Sequence, residues 1–224
     1  MNRYWVKTKD GSPSLYVPEL QQNYHSLHGA LQESRHVFID AGLKLFANQK
    51  EVHILEIGFG TGLNALLSHF EKFNPEQAIH YHSLEKYPLQ KEEWQALEWP
   101  ELFTEKPDYH NFYLDLHKAP WEQETSLRPD FSLLKNCTDL RTYSAKAAHY
   151  DLIYFDAFSP EAQPELWSES VFREMYNALK PGGRLVSYCV KGSVRRAMKA
   201  AQLEVEKIPG PPGKREMARA LKEV

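Results

Sequence analysis

The stretch Glu51–Asn64, EVHILEIGFGTGLN, constrains this chain more than any other. Val52, Ile54, Leu55 and Ile57 form a short apolar run, the pattern of a strand buried on both faces. The run stops at three alternating glycines, Gly58, Gly60 and Gly62, and a helical pattern over Leu63–Phe73 follows. Strand, glycine turn and helix in that order let the backbone approach a ligand closely at the carboxyl end of a parallel sheet. The dinucleotide fingerprint G-x-G-x-x-G needs its third glycine at position 63, where Leu63 stands. The spacing present is instead E-x-G-x-G-x-G, beginning at Glu56.

A chain of 224 residues is long for one minimal domain and short for two. One α/β domain with additions is therefore expected, with residues 1–50 as an N-terminal extension (hairpin plus helix) packed on a domain spanning 51–224. No apolar run reaches the roughly 20 residues needed to span a bilayer, and the first residues, MNRYWVKTKD, lack a signal-peptide pattern. Two cysteines, Cys137 and Cys189, make neither a disulfide framework nor a C-x-x-C pair. A reducing cytoplasm, with no membrane partner, is the expected setting. The net charge of −3 does not by itself suggest a nucleic-acid partner, but its distribution is uneven. Lys180–Arg219 holds ten Lys or Arg against three Glu, a local balance of +7 that leaves −10 on the remainder. A basic face near the carboxyl terminus could hold phosphates; a solvated surface without a partner gives the same count.

Along the chain, RYWVK and SLYV read as two strands around the turn Asp10–Pro13, and Tyr24–Asp40 becomes helical from Gly29. His25 and His28 are three apart, but no third ligand is spaced to join them, and no metal is expected. Ile79–Glu85 reads as a second core strand, and period-two alternation puts His80 and His82 on one face. Pro88–Glu98 reads as a helix with Trp94 and Leu97 on its apolar side. Asn111–Leu116 and Phe131–Leu134 are expected to pair as a hairpin. Tyr150–Asp156 is a clear strand, followed by a loop around Pro160 and Pro164, a helix over Glu165–Leu179, and a turn at Lys180–Gly183. A strand Arg184–Cys189, a basic helix Ser193–Gln202 and two closing strands, Leu203–Ile208 and Glu216–Leu221, complete the chain. Alternating strands and helices with a closing strand pair predict a mostly parallel, doubly wound sheet with an antiparallel edge and a small N-terminal β extension.

Two carboxylates stand where such sheets bind ligands. Glu85 ends the second core strand, 23 residues past Gly62, where an acid can accept from both hydroxyls of a ribose. Asp156 ends the strand expected beside the first, across the switch point, and Ala157-Phe158-Ser159-Pro160 places an aromatic ring and a rigid proline next to it. An acid so placed can accept a hydrogen bond from an amine and aim its lone pair. An ordinary Asp, with a pKa near ~3.9, is a weak base toward an alkylamine near ~10. Proton loss through water is the expected route.

The residues then resemble a known family. EIGFGTGLN (Glu56–Asn64), SLEKYPL (Ser83–Leu89), DLIYFDAFSPEAQPELW (Asp151–Trp167), KPGGRLVSY (Lys180–Tyr188) and VRRAMKAAQLEVEKIPGPPGKREM (Val194–Met217) occur in the order seen in tRNA 5-methylaminomethyl-2-thiouridine methyltransferases of the MnmC/MnmD type. GALQESRHVF (Gly29–Phe38) extends the likeness over most of the chain. The resemblance implies a Rossmann-like class I fold and methyl transfer from S-adenosylmethionine to the primary amine of 5-aminomethyl-2-thiouridine at the wobble position. It implies that Gly58, Gly60, Gly62 and Asn64 hold the methionine part and Glu85 the ribose. Asp139 would lie by the adenine, with Glu56 and Lys86 completing the cofactor set. Asp156 would be catalytic. Glu33, Phe158, Pro160 and Trp167 would face the substrate base, and Lys191, Arg195, Arg196, Lys214 and Arg215 the backbone of the tRNA anticodon stem-loop. Many relatives carry a flavin-dependent oxidase domain for which 224 residues leave no room, so no flavin and a separate enzyme supplying the aminomethyl precursor are expected. Two positions depart from the family pattern, Thr138 before Asp139 and Ala157 after Asp156, each where glycine is common. Competing readings are a methyltransferase for another amine, a binding module without turnover, and an aminopropyltransferase. The last would need a second acid beside Asp156 that Asp-Ala-Phe-Ser does not supply.

Overall fold

The alternation at the amino end produces the first of two sheets. In the structure, a computed structural model describing residues 1–97, 99 and 107–224, β1 (Tyr4–Lys7) and β2 (Pro13–Val17) pair antiparallel, and β3 (Gln22–Asn23) joins β2. Leu15 and Val17 are buried while Tyr4 and Trp5 stay exposed. Asp10 Oδ1 makes the tight turn by accepting from Thr8 Oγ1 at 2.6 Å and the Ser12 amide at 3.0 Å. From Gly29 the chain turns helical as expected. A short α1 (Ala30–Ser34) runs into wider π-type turns over Arg35–Asp40, which bury Val37, Phe38 and Ile39.

The second sheet has eight strands. β4 (Glu51–Ile57) leads through the glycine turn into α2 (Leu63–Phe70) and then β5 (Ala78–Glu85). After α3 (Lys91–Gln95) and α4 (Pro107–Lys118) come β6 (Thr125–Arg128) and β7 (Phe131–Cys137). β8 (Tyr150–Phe155), α5 (Glu169–Ala178), β9 (Leu179–Ser187), α6 (Gly192–Ala200), β10 (Glu204–Pro209) and β11 (Glu216–Leu221) follow. The strand order is β10-β11-β9-β8-β4-β5-β7-β6. β9, β8, β4, β5 and β7 run parallel, while β6 on one side and β11 on the other pair antiparallel with their neighbours. Alternate residues of the central strands feed two cores. Val52, Ile54, Tyr81 and Tyr154 pack with α2, α4 and the 37–46 segment, and Leu55, Ile57, Ile153 and Phe155 pack with α5 and α6. This is the doubly wound architecture expected from the sequence, and it puts β4 between β5 and β8 at the switch point.

Several local expectations are corrected. Asn111–Leu116 is not a strand but part of α4, and β7 pairs instead with β6. Tyr109, Phe112, Tyr113 and Leu116 recur at helical spacing and are all buried, so the 3.6-residue period governs this stretch. α2 ends at Phe70, before the expected Phe73, where Glu71 leaves helical backbone with φ −112° and ψ 17°. Pro164 opens a 3₁₀ turn, Pro164–Trp167, and α5 begins only after Ser168, whose hydroxyl caps the Val171 amide. Trp167 causes the break: its indole N–H donates to the Phe158 carbonyl at 2.8 Å and the ring enters the core. The helix expected over Pro88–Glu98 is the shorter α3, and Glu98 lies outside the described residues. Among the described residues, no helix is long and apolar enough to cross a membrane.

Candidate active site

The carboxyl ends of β4, β5 and β8 converge on one cavity of about 470 Å³, within the range of small-ligand pockets. Gly58, Gly60 and Gly62 have positive φ of 94°, 51° and 74°. Gly58 shows why side chains are excluded: a Cβ there would sit 2.9 Å from the Asp156 carbonyl oxygen. Its amide donates to Leu84 O at 2.9 Å, and the Asp156 amide donates to Ile57 O at 3.0 Å. The turn is thus tied to both neighbouring strands.

Beneath the turn lies a pair of acids bridged by one amide. Asn64 Nδ2 donates to Glu56 Oε1 at 3.1 Å and to Asp156 Oδ2 at 2.9 Å, and Ser83 Oγ donates to Glu56 Oε2 at 2.7 Å. Glu56 has no exposed surface. Burial pushes its carboxyl up to about 8, with the neighbouring Asp156 adding to the rise. Burial, and then the charge of Glu33, push Asp156 up to about 7 against the lowering effect of Asn64 and Lys214. One neutral amide cannot compensate two adjacent carboxylates, so Glu56 holds a proton at neutral pH.

The outer wall comes from the amino-terminal segment and the far strands. Tyr24 meets Phe158 edge to face at 5.2 Å, and Lys214 lies over the Tyr188 ring at 4.1 Å. Glu33 accepts from Lys214 Nζ at 2.6 Å and from the Ser26 amide at 3.0 Å. Tyr188 donates to the Ala157 carbonyl at 2.9 Å. On the other side, Glu85 accepts from the Gly60 amide at 3.1 Å and the Tyr87 amide at 2.8 Å, one through each oxygen. Each oxygen keeps a second lone pair for a further donor. Asp139 also lines the cavity, and its bonds to Arg141 and then to Lys86 hold its carboxyl well below the usual range.

With this geometry in view, residues 110–223 match a family model described as S-adenosyl-L-methionine-dependent methyltransferase. The chain belongs to that family. It is also 30% identical over 95% of its length to the tRNA 5-methylaminomethyl-2-thiouridine biosynthesis bifunctional protein MnmC of Cupriavidus metallidurans, covering 33% of that protein. The protein of the same name from Leptospira interrogans is 34% identical over 87% of this chain, and the match covers 31% of that protein. The chain thus spans about a third of the length of these curated relatives. The crystal structure of MnmC2 from Aquifex aeolicus superposes with a TM-score of 0.83 at 26% identity, covering all of this chain and 71% of that one. Spermidine synthase from Thermotoga maritima, at 15% identity and a TM-score of 0.52 over 98% of this chain and 72% of that one, shares the sheet architecture alone.

The methyltransferase cavity fits S-adenosylmethionine on its own observations. Asn64 Oδ1 is buried without a hydrogen-bond partner beside the glycine turn, an acceptor ready for a ligand amino group. Glu85 has lone pairs to spare at the ribose end. Of the residues singled out from the sequence, the structure lines the cavity with Glu33, Gly58, Gly60, Asn64, Glu85, Lys86, Asp139, Asp156, Phe158 and Lys214. Glu56 lies beneath them and Gly62 begins α2. Trp167 is corrected: it is 5% exposed, packs on Phe155 and Phe172, and is not on the cavity wall. Pro160 also stands outside the lining, as do Lys191, Arg195, Arg196 and Arg215. Lys191 is ion-paired with Glu161 in the loop that follows Asp156. His25 and His28 do not act together. His25 is pushed down to about 4 by burial and bridges Ser14 and Thr61, whereas His28 is exposed. Sequence reasoning missed Tyr24 and Tyr188 as walls. Tyr24 sits in no motif and Tyr188 only closes KPGGRLVSY, where nothing marks it as a wall, and only long-range packing brings Tyr24 to Gly60.

The acid pair makes a pH prediction. Glu56 in the folded protein holds its proton up to about 8, against 4.5 unperturbed. At Glu56 the folded state therefore binds more protons than the unfolded chain between those values, and the contribution of this one group to stability falls as pH rises from about 4.5 to about 8. Glu56→Gln, a mimic of the protonated acid, should flatten that decline. Urea midpoints measured across the window for both proteins check it, and parallel curves would contradict it.

Proposed function

We propose that this methyltransferase acts on the primary amine of 5-aminomethyl-2-thiouridine at the wobble position of tRNA, giving 5-methylaminomethyl-2-thiouridine. The observation that carries the reading is Asp156, pushed up to about 7 at the mouth of the glycine turn, held by Asn64 and faced by Tyr24, Phe158 and Tyr188. A carboxylate among aromatic rings suits a cationic amine on a planar base. S-adenosylmethionine, when bound, supplies an electrophilic methyl group on a sulfonium centre.

This chain's residues then do the rest. Asp156 binds the ammonium form of the acceptor and accepts its proton. Its elevated pKa brings it within about 3 units of an alkylamine near ~10, where an ordinary Asp lies ~6 below. Once that proton has passed on to water, the carboxylate accepts from a remaining amine N–H and leaves the lone pair directed at the methyl group. Gly58, Gly60, Gly62, Asn64 and the underlying Glu56 hold the methionine part. Glu85 takes the ribose, and Asp139 with Lys86 flanks the adenine. Phe158 stacks with the splayed base, and Glu33 orders Lys214 at the rim. Lys191, Arg195, Arg196, Lys214 and Arg215 contact the anticodon stem-loop, in keeping with the +7 balance of Lys180–Arg219. The reading sets the protein with its tRNA in the cytoplasm, and a separate reaction supplies the aminomethyl group.

Deleting the gene in its host and analysing tRNA nucleosides by mass spectrometry tests the proposal. Loss of 5-methylaminomethyl-2-thiouridine with a rise in its 5-aminomethyl precursor is expected. Unchanged levels of both would sink the assignment.

A further inference from the structure

A row of polar side chains crosses the sheet at the end opposite the cavity. His53 of β4 stands in register with His80 of β5, and His80 with Ser132 of β7. All three are half-buried. Glu51 lies two residues before His53 on the same face of β4, and His149 stands just ahead of β8. The His53 and His80 rings stack with centroids 4.5 Å apart, and His149 approaches His53 at 4.7 Å. One nitrogen from each of His53 and His80 and one oxygen of Glu51 lie within 4.8 Å of one another. Register puts the two histidines side by side and alternation puts Glu51 on their face, but neither explains why a third imidazole converges on them.

The bonds around His80 decide which nitrogen it offers. Ser132 Oγ donates to Glu124 Oε1 at 3.0 Å, and a hydroxyl has one proton to give. In the 3.1 Å contact between Ser132 Oγ and His80 Nδ1 the ring N–H is therefore the donor, and Nε2 carries the lone pair. A carboxylate–hydroxyl–imidazole chain is the kind of outer support that orients metal-binding histidines. The His53 amide is held by Asp151 Oδ2 at 2.8 Å, fixing the row to β8. Of the charged groups facing it, Glu51 and Asp151 favour a cation while Lys146 and Lys180 oppose it, and Lys180 is itself tied to Asp151 at 2.8 Å.

We propose that Glu51, His53 and His80, with His149 as a fourth ligand, bind one divalent transition-metal ion of the zinc class. Two or three imidazoles with one carboxylate suit Zn²⁺ or Co²⁺ over Mg²⁺ or Ca²⁺. The stacked rings lie 15° from parallel, so one must tilt for both lone pairs to meet. Ligand atoms in a tetrahedral zinc shell sit about 3.3 Å apart, a contraction that side-chain rotation supplies. The ion clamps the amino ends of β4 and β5 to the segment entering β8 and takes no part in methyl transfer.

Tag-free protein titrated with Co²⁺, read by its visible absorption, and with Zn²⁺ by calorimetry tests the site. One ion per chain is expected. His53→Asn/His80→Asn should abolish that binding, and Ser132→Ala, which keeps every ligand, should weaken it roughly 10- to 100-fold. Equal Zn²⁺ affinity in wild type and Ser132→Ala, or no binding at millimolar Zn²⁺, would overturn the proposal. If the double variant fails to fold by circular dichroism, Ser132→Ala decides alone.

Discussion

Asp156→Asn is expected to lower the turnover of methyl transfer by about 10²- to 10⁴-fold, the usual worth of a positioned proton acceptor. The fold should survive the change. Asn64 Nδ2 donates to Asp156 Oδ2 at 2.9 Å, and an asparagine carbonyl can accept the same bond. What disappears is the charge that holds an ammonium ion and the site that takes its proton. Affinity for S-adenosylmethionine should change little, because the bond of Asn64 to Glu56 and the contacts of Glu85 with the glycine turn remain. The pH profile separates this role from a structural one. Burial and Glu33 push Asp156 up to about 7, so wild-type activity should rise as pH climbs through that region and the carboxylate forms. A sulfonium in the site moves the inflection lower, since a nearby positive charge favours the ionised acid. The variant should show a flat residual rate over the same range. Turnover equal to wild type at saturating substrate would remove Asp156 from the mechanism.

Gly58→Ala should damage the donor half of the site more than any other single methyl group. At φ 94° the residue lies beyond the small left-handed region that L-residues tolerate, at a cost of about 1–3 kcal/mol. The added Cβ would also meet the Asp156 carbonyl oxygen at 2.9 Å, and backbone on both sides leaves nothing soft to yield. Relief requires the ends of β4 and β8 to separate, which moves Asp156 away from the turn. A displacement on that scale costs roughly 10²-fold in rate, on top of a lowered melting temperature. Gly60→Ala is the control. Its φ of 51° is within reach of L-residues, and its Cβ meets only the edge of the Tyr24 ring at 3.3 Å. Calorimetric binding of S-adenosylmethionine to both variants, with their melting curves, should show the larger loss at Gly58. Equal losses would mean that the close approach to Asp156 is not what requires this glycine.

The donor side of the site was legible because its chemistry follows from strand ends. An apolar run that stops at Gly58, an acid at Glu85 and an acid at Asp156 each mark the carboxyl end of a parallel strand, and strand order alone brings them together. The acid pair was half legible: Glu56 sits in the motif, but its protonation depends on burial and on Asn64 spanning to Asp156, a contact across 92 positions. The acceptor wall was mostly hidden. Tyr24 and Tyr188 reach the cavity by long-range packing, and no period or spacing distinguishes them from other tyrosines. Trp167 misled because an aromatic after a catalytic loop looks like a platform, whereas here its N–H holds that loop from the core side. Helix α4 was misread because the aromatic residues within Asn111–Leu116 suit strands, and the stripe from Tyr109 to Leu116 emerges only at helical spacing.

The central claim is that this chain methylates the amine of an aminomethyl group on a tRNA wobble base, with Asp156 as the group that receives the acceptor. Incubating the purified chain with methyl-labelled S-adenosylmethionine and tRNA bearing 5-aminomethyl-2-thiouridine, then resolving the nucleosides by mass spectrometry, tests it most directly. One labelled methyl per tRNA, on the nitrogen of that nucleoside and lost with Asp156→Asn, is the predicted result. Tight binding of S-adenosylmethionine without label on that nitrogen, or label on another nucleoside, would contradict it.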